Sequence, residues 1–402
     1  MNMQIGESKR KKVAVIGGGA AGFFAAINLC EQCPQTSVTI FEKGSRVLRK
    51  VAVSGGGRCN CTNTFEGVSD LRHVYPRGHR LMSRLFKVFD YRDAYQWFER
   101  HGIPLTVQAD HCVFPASQDA QSIVNCFVQS ARDLQIEIRV GTAIDSMDML
   151  EDYDDVVLTV GGFARPQSYD WISLLGVDIV RPVPSLFTLN IADRDLCQLM
   201  GTVAENALLK IPGTKFESCG PLLITHWGVS GPAVLKLSSL AARHLYDCNY
   251  QTNLCVNWTG QQEQTVREEL RAMAQTQGGR QVANCRPGGL SSRLWDYLVE
   301  KSLGNKARMR WGELGQKDLN RLTNVLTSDT LCCAGRGTFK EEFVTCGGVS
   351  LGSINSVTLS ARSNPHLYFA GEVLDIDGVT GGFNLQAAWT TAWVVAQSII
   401  NA

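Results

Sequence analysis

The feature that most constrains this chain is a short β-branched run ending in a glycine turn. Lys12 to Gly18 reads KVAVIGG, and AAGFFAAINLCEQC follows with helical spacing. Gly17, Gly19 and Gly22 form G-x-G-x-x-G at this junction, where side chains would block the tight turn and keep a pyrophosphate from the helix N-terminus. Ser37 to Glu42 (SVTIFE) then closes a βαβ unit, and Glu42 stands 20 residues beyond Gly22. An acid at that point accepts hydrogen bonds from an adenosine ribose. Strand, glycines, helix and acid agree in order, so a doubly wound α/β Rossmann-type domain holding a dinucleotide is expected, with NAD and FAD still to be separated.

A second glycine block separates them. LYFAGEVLDIDGVTGGFNLQAAWTTA carries a further glycine turn that opens a helix at Gly381, Gly382, Asn384 and Leu385. The positive end of a helix dipole suits a flavin, whose pyrimidine edge gains negative charge on reduction. Gly371 and Glu372 are expected beside the ribityl chain and pyrophosphate. FAD is therefore the expected cofactor. A third glycine-rich stretch, Ser54 to Asn63, is read as a loop in which Gly55, Gly56 and Gly57 admit a ligand close to backbone N–H groups while Arg58 supplies charge.

The strand–helix pattern is interrupted. Amphipathic helices are expected over Arg80 to His101 and Asp119 to Leu134, then strands IEIRV and DVVLTVGG. From Pro184 the texture changes to short strand-like pieces (SLFTLNI, ALLKIP, NLCVNW), and helical patterns dominate from Gln261 to Leu326. Strand-like, glycine-rich character returns at Phe343. These shifts divide the chain into a first FAD-domain segment (residues 1–183), a β-barrel-like insertion (184–260), a helical insertion (261–339) and a second FAD-domain segment (340–402).

Lys and Arg total 39 against 38 for Asp and Glu among 402 residues, so no net field draws nucleic acid or anionic membrane, and a small-molecule substrate is favoured. The 14 cysteines follow an N-terminus with no apolar secretion signal, so reduced thiols and a cytoplasmic setting are expected. Cys30 with Cys33 and Cys59 with Cys61 lack the second pair that a zinc site needs, and no metal is expected. No apolar run reaches the length of a membrane span.

KVAVIGGGAAGFFAA, RKVAVSGGGRCNCTN, THWGVSGPAVLKLS and FAGEVLDIDGVTGGFNLQAAW together resemble the HI0933-like flavoproteins, which include BaiN-type and aminoacetone-oxidase-like FAD-dependent oxidoreductases. The resemblance implies an FAD domain interrupted by a β-barrel and a small helical domain. It places Gly17, Gly19, Ala20, Ala21 and Gly22 in the pyrophosphate loop, Glu42 and Lys43 at the adenosine ribose, and Arg49 and Lys50 beside them. Ser54, Gly56, Gly57, Arg58, Cys59 and Asn60 would then form the loop over the flavin. The chain departs from the family in three places. Thr159 and Val160 stand where an alanine and a threonine precede Gly161, a backbone contact. FARPQSYDW replaces a longer glycine-rich loop, and Cys112 replaces an arginine.

No catalytic acid or base is assigned. His226 belongs to a family motif, but a histidine beside Trp227 and a glycine turn is more often structural. Asp375 and Asp377 read as turn acids. Arg72, Arg77, Arg80, Arg84 and Lys87 read as a solvated helix face whose charge nearby acids dilute. The expected function is hydride transfer through flavin N5, linked to NAD(P)H as a transient co-substrate, on an unidentified small organic molecule. A non-redox protein with structural FAD and an NAD-only dehydrogenase are the alternatives. Gly19→Val is expected to abolish FAD retention while the fold persists, because the isopropyl group fills the space a pyrophosphate must enter; the flavin absorbance of the purified variant measures this.

Overall fold

The computed structural model describes residues 10–163, 166–337 and 344–402. Phe343, the 339/340 boundary and part of FARPQSYDW lie outside the described residues. The chain divides into two compact units, Met1–Pro184 with Glu341–Ala402, and Ser185–Lys340.

The first unit is built on a five-stranded sheet. β1 (Lys12–Ile16) is followed by the helix α1 (Ala20–Gln32) and by β2 (Ser37–Glu42). The strand order is Leu367–Phe369, Asp155–Leu158, β1, β2, Glu137–Val140, and every pairing is parallel. β1 is buried from Val13 to Ile16, as a central parallel strand covered on both faces must be. Val15 pairs with Ile40 on one side and Val157 on the other. The chain leaves β1 for β2 on one side and returns later on the other, so a crevice opens at the carboxyl end of β1. This is the expected doubly wound Rossmann-type architecture, and it is discontinuous in sequence.

The last strand and helix come from the far end of the chain, yet both are buried in the core, the strand at one edge of the sheet. Phe383–Ile400 is buried over most of its length, and it packs along α1. Trp389 is fully buried among Phe24, Phe98 and Phe127, with ring centroids at 5.2, 5.5 and 5.6 Å. Its indole Nε1 donates to Cys61 O at 2.8 Å, so the ring is satisfied at both its apolar and its polar end.

The second unit holds a closed barrel of six strands in the order Val203–Lys210, Glu217–Thr225, Gly228–Ser230, Leu189–Ile191, Asp329–Arg336 and Gln251–Asn257. Leu189, Leu209, Leu222, Ile224, Leu254 and Val256 are buried in it. Closure leaves no free edge. Helices Glu263–Thr276, Ser292–Leu303 and Gln316–Ser328 pack together in the same unit. Lys301 ties them to the barrel: it pairs with Asp329 at 2.8 Å and donates to Tyr297 Oη at 3.0 Å, while Trp258 Nε1 reaches the same aspartate at 3.1 Å.

Trp389→Ala is expected to cost about 3–5 kcal/mol, because it removes the ring and leaves a cavity inside an aromatic cluster. Denaturant unfolding measures it, and a loss below about 1 kcal/mol would show that the final helix is not part of this core.

Candidate dinucleotide site

Three glycines of one motif do different physical work. Gly17 has φ +113°, and a Cβ there would lie 2.4 Å from Thr159 O. A Cβ on Gly22 would lie 2.1 Å from Gly17 O. Both are therefore required by packing of the turn and the helix. Gly19 meets nothing within 4 Å, so its freedom from a side chain serves the open space in front of it. That space is a cavity of about 340 Å³ lined by the turn from Gly17 to Ala21. Gly19 caps α1 without a side-chain hydrogen bond, so the first N–H groups of the helix remain for an anion.

Two carboxylates face this cavity. Glu42 accepts Gly18 N at 3.0 Å and Gly44 N at 2.6 Å, which fixes it at the end of β2 with lone pairs left for ribose hydroxyls. Glu372 accepts Lys50 Nζ at 2.7 Å and Thr345 N at 2.9 Å. Lys50 follows Leu48, which takes φ +56° and donates its N–H to Gly18 O at 2.8 Å, so α2 (Arg49–Gly57) starts directly against the glycine turn. A leucine held in the left-handed region carries strain, and here it lines the cavity.

Thr159 accounts for one departure from the family sequence. Its Oγ1 donates to Gly17 O at 2.8 Å and lies 3.1 Å from Ile16 O, tying the end of strand Asp155–Leu158 to the glycine turn. A hydroxyl one position before the expected one thus holds the loop itself. Gly162 is as constrained, since a Cβ there would lie 2.3 Å from Thr345 Oγ1.

Of the residues singled out from sequence, Gly17, Gly19, Ala20, Ala21, Glu42, Arg49, Lys50, Ser54, Gly161, Gly371, Glu372, Asn384 and Leu385 line the cavity. Gly22, Lys43, Gly56, Gly57, Arg58, Cys59, Asn60, Gly381 and Gly382 are not among its lining residues. Lys43 Nζ instead lies over the Phe163 ring, 4.7 Å from its centroid. Arg58 stacks on Phe114 at 4.3 Å and donates to Gly55 O and Gln118, so it braces the glycine loop. That loop leaves the helical conformation at Ser54, with Gly55 and Gly56 left-handed. Gly382 has φ +88°, and a Cβ there would lie 2.3 Å from Thr62 O. With its amide oxygen toward Gly382, Asn60 accepts Gly382 N at 3.1 Å, so this N–H is directed at the 60–63 segment. Gly18, Arg46, Leu48, Val51, Val53, Thr159, Val160, Gly162, Val344, Ile376, Ala387 and Ala388 complete the lining without having been singled out as site residues; apolar wall residues carry no motif signal.

His226 is exposed at the two-residue turn between barrel strands Glu217–Thr225 and Gly228–Ser230. Cys112 is buried beside Asn63, whose amide donates to Gly381 O at 3.0 Å. The Cys59 and Cys61 sulfurs lie 3.8 Å apart, and burial raises the Cys61 thiol well above its ordinary pKa. Among the described residues, no group of His, Cys, Asp and Glu is arranged to hold a metal, and no helix is long and apolar enough to cross a membrane.

A glycine turn opening a helix at a topological switch point, an acid at the end of β2 and the Gly371–Glu372 segment on the same cavity form a dinucleotide site of the kind FAD-dependent oxidoreductases carry. The model for the HI0933-like protein Rossmann domain matches residues 11–398, and the chain belongs to that family. It is 28% identical to the ribosomal RNA dihydrouridine synthase of Escherichia coli, over 98% of this chain and 99% of that one. It is 25% identical to the 3-dehydro-bile acid delta(4,6)-reductase of Clostridium scindens, over 96% of this chain and 98% of that one. Among solved structures, the 3-ketosteroid delta1-dehydrogenase of Sterolibacterium denitrificans superposes with a TM-score of 0.50 at 11% identity, covering 97% of this chain and 99% of the other, which is a likeness of fold.

Thr159→Val removes the hydroxyl on Gly17 O while keeping the branched shape. The lost hydrogen bond is worth about 0.5–1.5 kcal/mol, so FAD affinity is expected to fall by up to about tenfold. Thr159→Ser should restore it. Flavin titration of the apoprotein reads both, and unchanged affinity in the valine variant would show that the turn holds its shape without Thr159.

Proposed function

We propose that this chain is an FAD-dependent reductase of a ring carbon–carbon double bond conjugated to a carbonyl, with NAD(P)H as a transient hydride donor. The observation that carries the reading is the nearly full-length match to two relatives whose names describe one kind of change on different molecules. A dihydrouridine synthase and a delta(4,6)-reductase both add two hydrogens across a ring double bond. The cavity supports the same reading, because its glycine turn, its ribose acid and its second glycine segment suit FAD.

Bound FAD supplies hydride transfer at its N5. The chain's own residues bind it. The N–H groups at Gly19 to Ala21 take the pyrophosphate, Glu42 the adenosine ribose, and Lys50 with Glu372 the stretch between. Val53, Val344, Ile376 and Leu385 line the same cavity and would present apolar surface to the bound cofactor.

A small cyclic substrate is the first choice, since 39 basic against 38 acidic residues give no general field for a polyanion or a membrane surface. Uridine within ribosomal RNA is the second, favoured by the match to the Escherichia coli enzyme. The 14 cysteines suit a reducing, cytoplasmic setting.

The test begins with the visible spectrum of the purified protein, expected to show bound flavin. Anaerobic NADH or NADPH should bleach it, and re-oxidation should follow addition of a cyclic enone, a steroid dienone or unmodified ribosomal RNA. Re-oxidation by the enones alone supports the small-molecule reading, and by RNA alone the uridine reading. A flavin that neither nicotinamide reduces removes the NAD(P)H link, and one that no conjugated double bond re-oxidises overturns the proposed reaction.

A further inference from the structure

We infer that Arg77 is a positioning residue for the flavin end of the site, holding one wall of the cavity in place and balancing its charge. The inference rests on the proposed function, since it concerns how the bound cofactor is tuned. From sequence, Arg77 grouped with the solvated cations of a helix face. The structure places it differently: its side chain is 15% exposed, and that of its partner Asp377 is 0% exposed.

Arg77 and Asp377 are joined twice. Their backbones form an isolated antiparallel bridge, and two guanidinium nitrogens, Nε and Nη2, donate to the two carboxylate oxygens. Such a fork fixes direction as well as distance, which a lysine cannot do. The next residue, Gly78, has φ +77°, and a Cβ on it would lie 2.6 Å from Ile376 Cγ1. Residues 77 and 78 therefore clamp residues 376 and 377. Val379 N donates to Val74 O at 2.8 Å, so a third point of the same loop is tied down. Gly378 then exchanges two hydrogen bonds with the Asn384 side chain, at 2.8 and 2.9 Å. Ile376, Asn384 and Leu385 all line the cavity, so the position of this wall depends on Arg77.

Charge gives the same residue a second effect. Burial works against the guanidinium, but Asp377, Cys346 and Asp375 favour its charged form and hold its pKa above the ordinary arginine value. Asp375 also acts on the buried Tyr169 phenol, whose pKa burial raises first and which Glu372 and Asp375 raise further. Asp377 is paired with the Arg77 cation, and Asp375 of the same DID sequence adds a weaker attraction. Removing that cation leaves uncompensated negative charge beside the wall, and reduction of a flavin there would become harder. Removing Asp377 has the opposite sign.

The signs make the test. Arg77→Gln, Arg77→Lys and Asp377→Asn are prepared with FAD, and the flavin midpoint potential, visible spectrum, FAD affinity and thermal stability are measured for each. The expected result is a lower potential in Arg77→Gln and a higher one in Asp377→Asn, with Arg77→Lys keeping a potential near that of the parent but an altered visible spectrum, because the fork is lost. A purely structural pair would loosen the fold in both charge variants and move both potentials in the same direction, or neither, and either outcome overturns the inference. Breaking a buried pair costs about 3–5 kcal/mol whichever partner is removed. Arg77→Gln leaves the fully buried carboxylate alone, whereas Arg77 in Asp377→Asn is less buried and keeps the attraction of Asp375, so Arg77→Gln is the variant at greater risk of not folding. Asp377→Asn then decides alone: an unchanged or lower potential overturns the proposal. A protein that carries no flavin sinks the functional reading itself, whereas a flavoprotein insensitive to these changes sinks only the role of Arg77.

Discussion

The architecture depends on one close approach, that of α1 to the turn that precedes it. A Cβ on Gly22 would sit 2.1 Å from the Gly17 carbonyl, so the helix can start where it does only because that atom is missing. Once the helix starts there, its unsatisfied N–H groups point into the crevice at the end of β1, and Gly19 stands open before them. Thr159 seals the same turn from the neighbouring strand through the Gly17 carbonyl. Four residues from two distant segments thus decide where an anion can bind.

The rest of the site is arranged around fixed charges. Glu42 is held by two backbone N–H groups and needs no side-chain cation to stay in place. Glu372 does have one, and its Lys50 partner lies 322 residues away in sequence. This pair is half-exposed, so its own contribution to stability is small, of the order of 0–1 kcal/mol. Its effect is geometric: it relates α2 to the segment before the final helix. Arg77 and Asp377 are the buried counterpart, and there desolvation makes the geometry strict.

The glycine-rich end of α2 shows how one composition serves two ends. Ser54 lines the cavity, but Gly56 and Gly57 face open space with positive φ, and Arg58 turns outward to brace the loop against Phe114. The glycines at 381 and 382 are explained by contact with Phe383 and the 60–63 segment. Such glycines let two backbones touch, and the helix that follows then presents Asn384, Leu385, Ala387 and Ala388 to the cavity.

By itself the sequence determined the strand–turn–helix unit, its acid, the second glycine segment and the interruption between them, because these follow from local periodicity and from backbone conformations that only glycine adopts easily. Helix Ala120–Asp133 and the start of the final helix Phe383–Ile400 were legible within a residue or two for the same reason. Tertiary structure alone decided which polar residues of the motifs face the cavity. Lys43, Arg58 and Asn60 lie inside recognisable motifs yet hydrogen-bond or stack elsewhere, while Arg77, read as a surface cation, is buried against Asp377. The apolar lining at Val53, Val344 and Ile376 was not singled out, although Val53 and Ile376 lie inside motif segments. A side chain's direction depends on what the folded chain brings opposite it, and segments 300 or more residues apart in sequence meet only after folding.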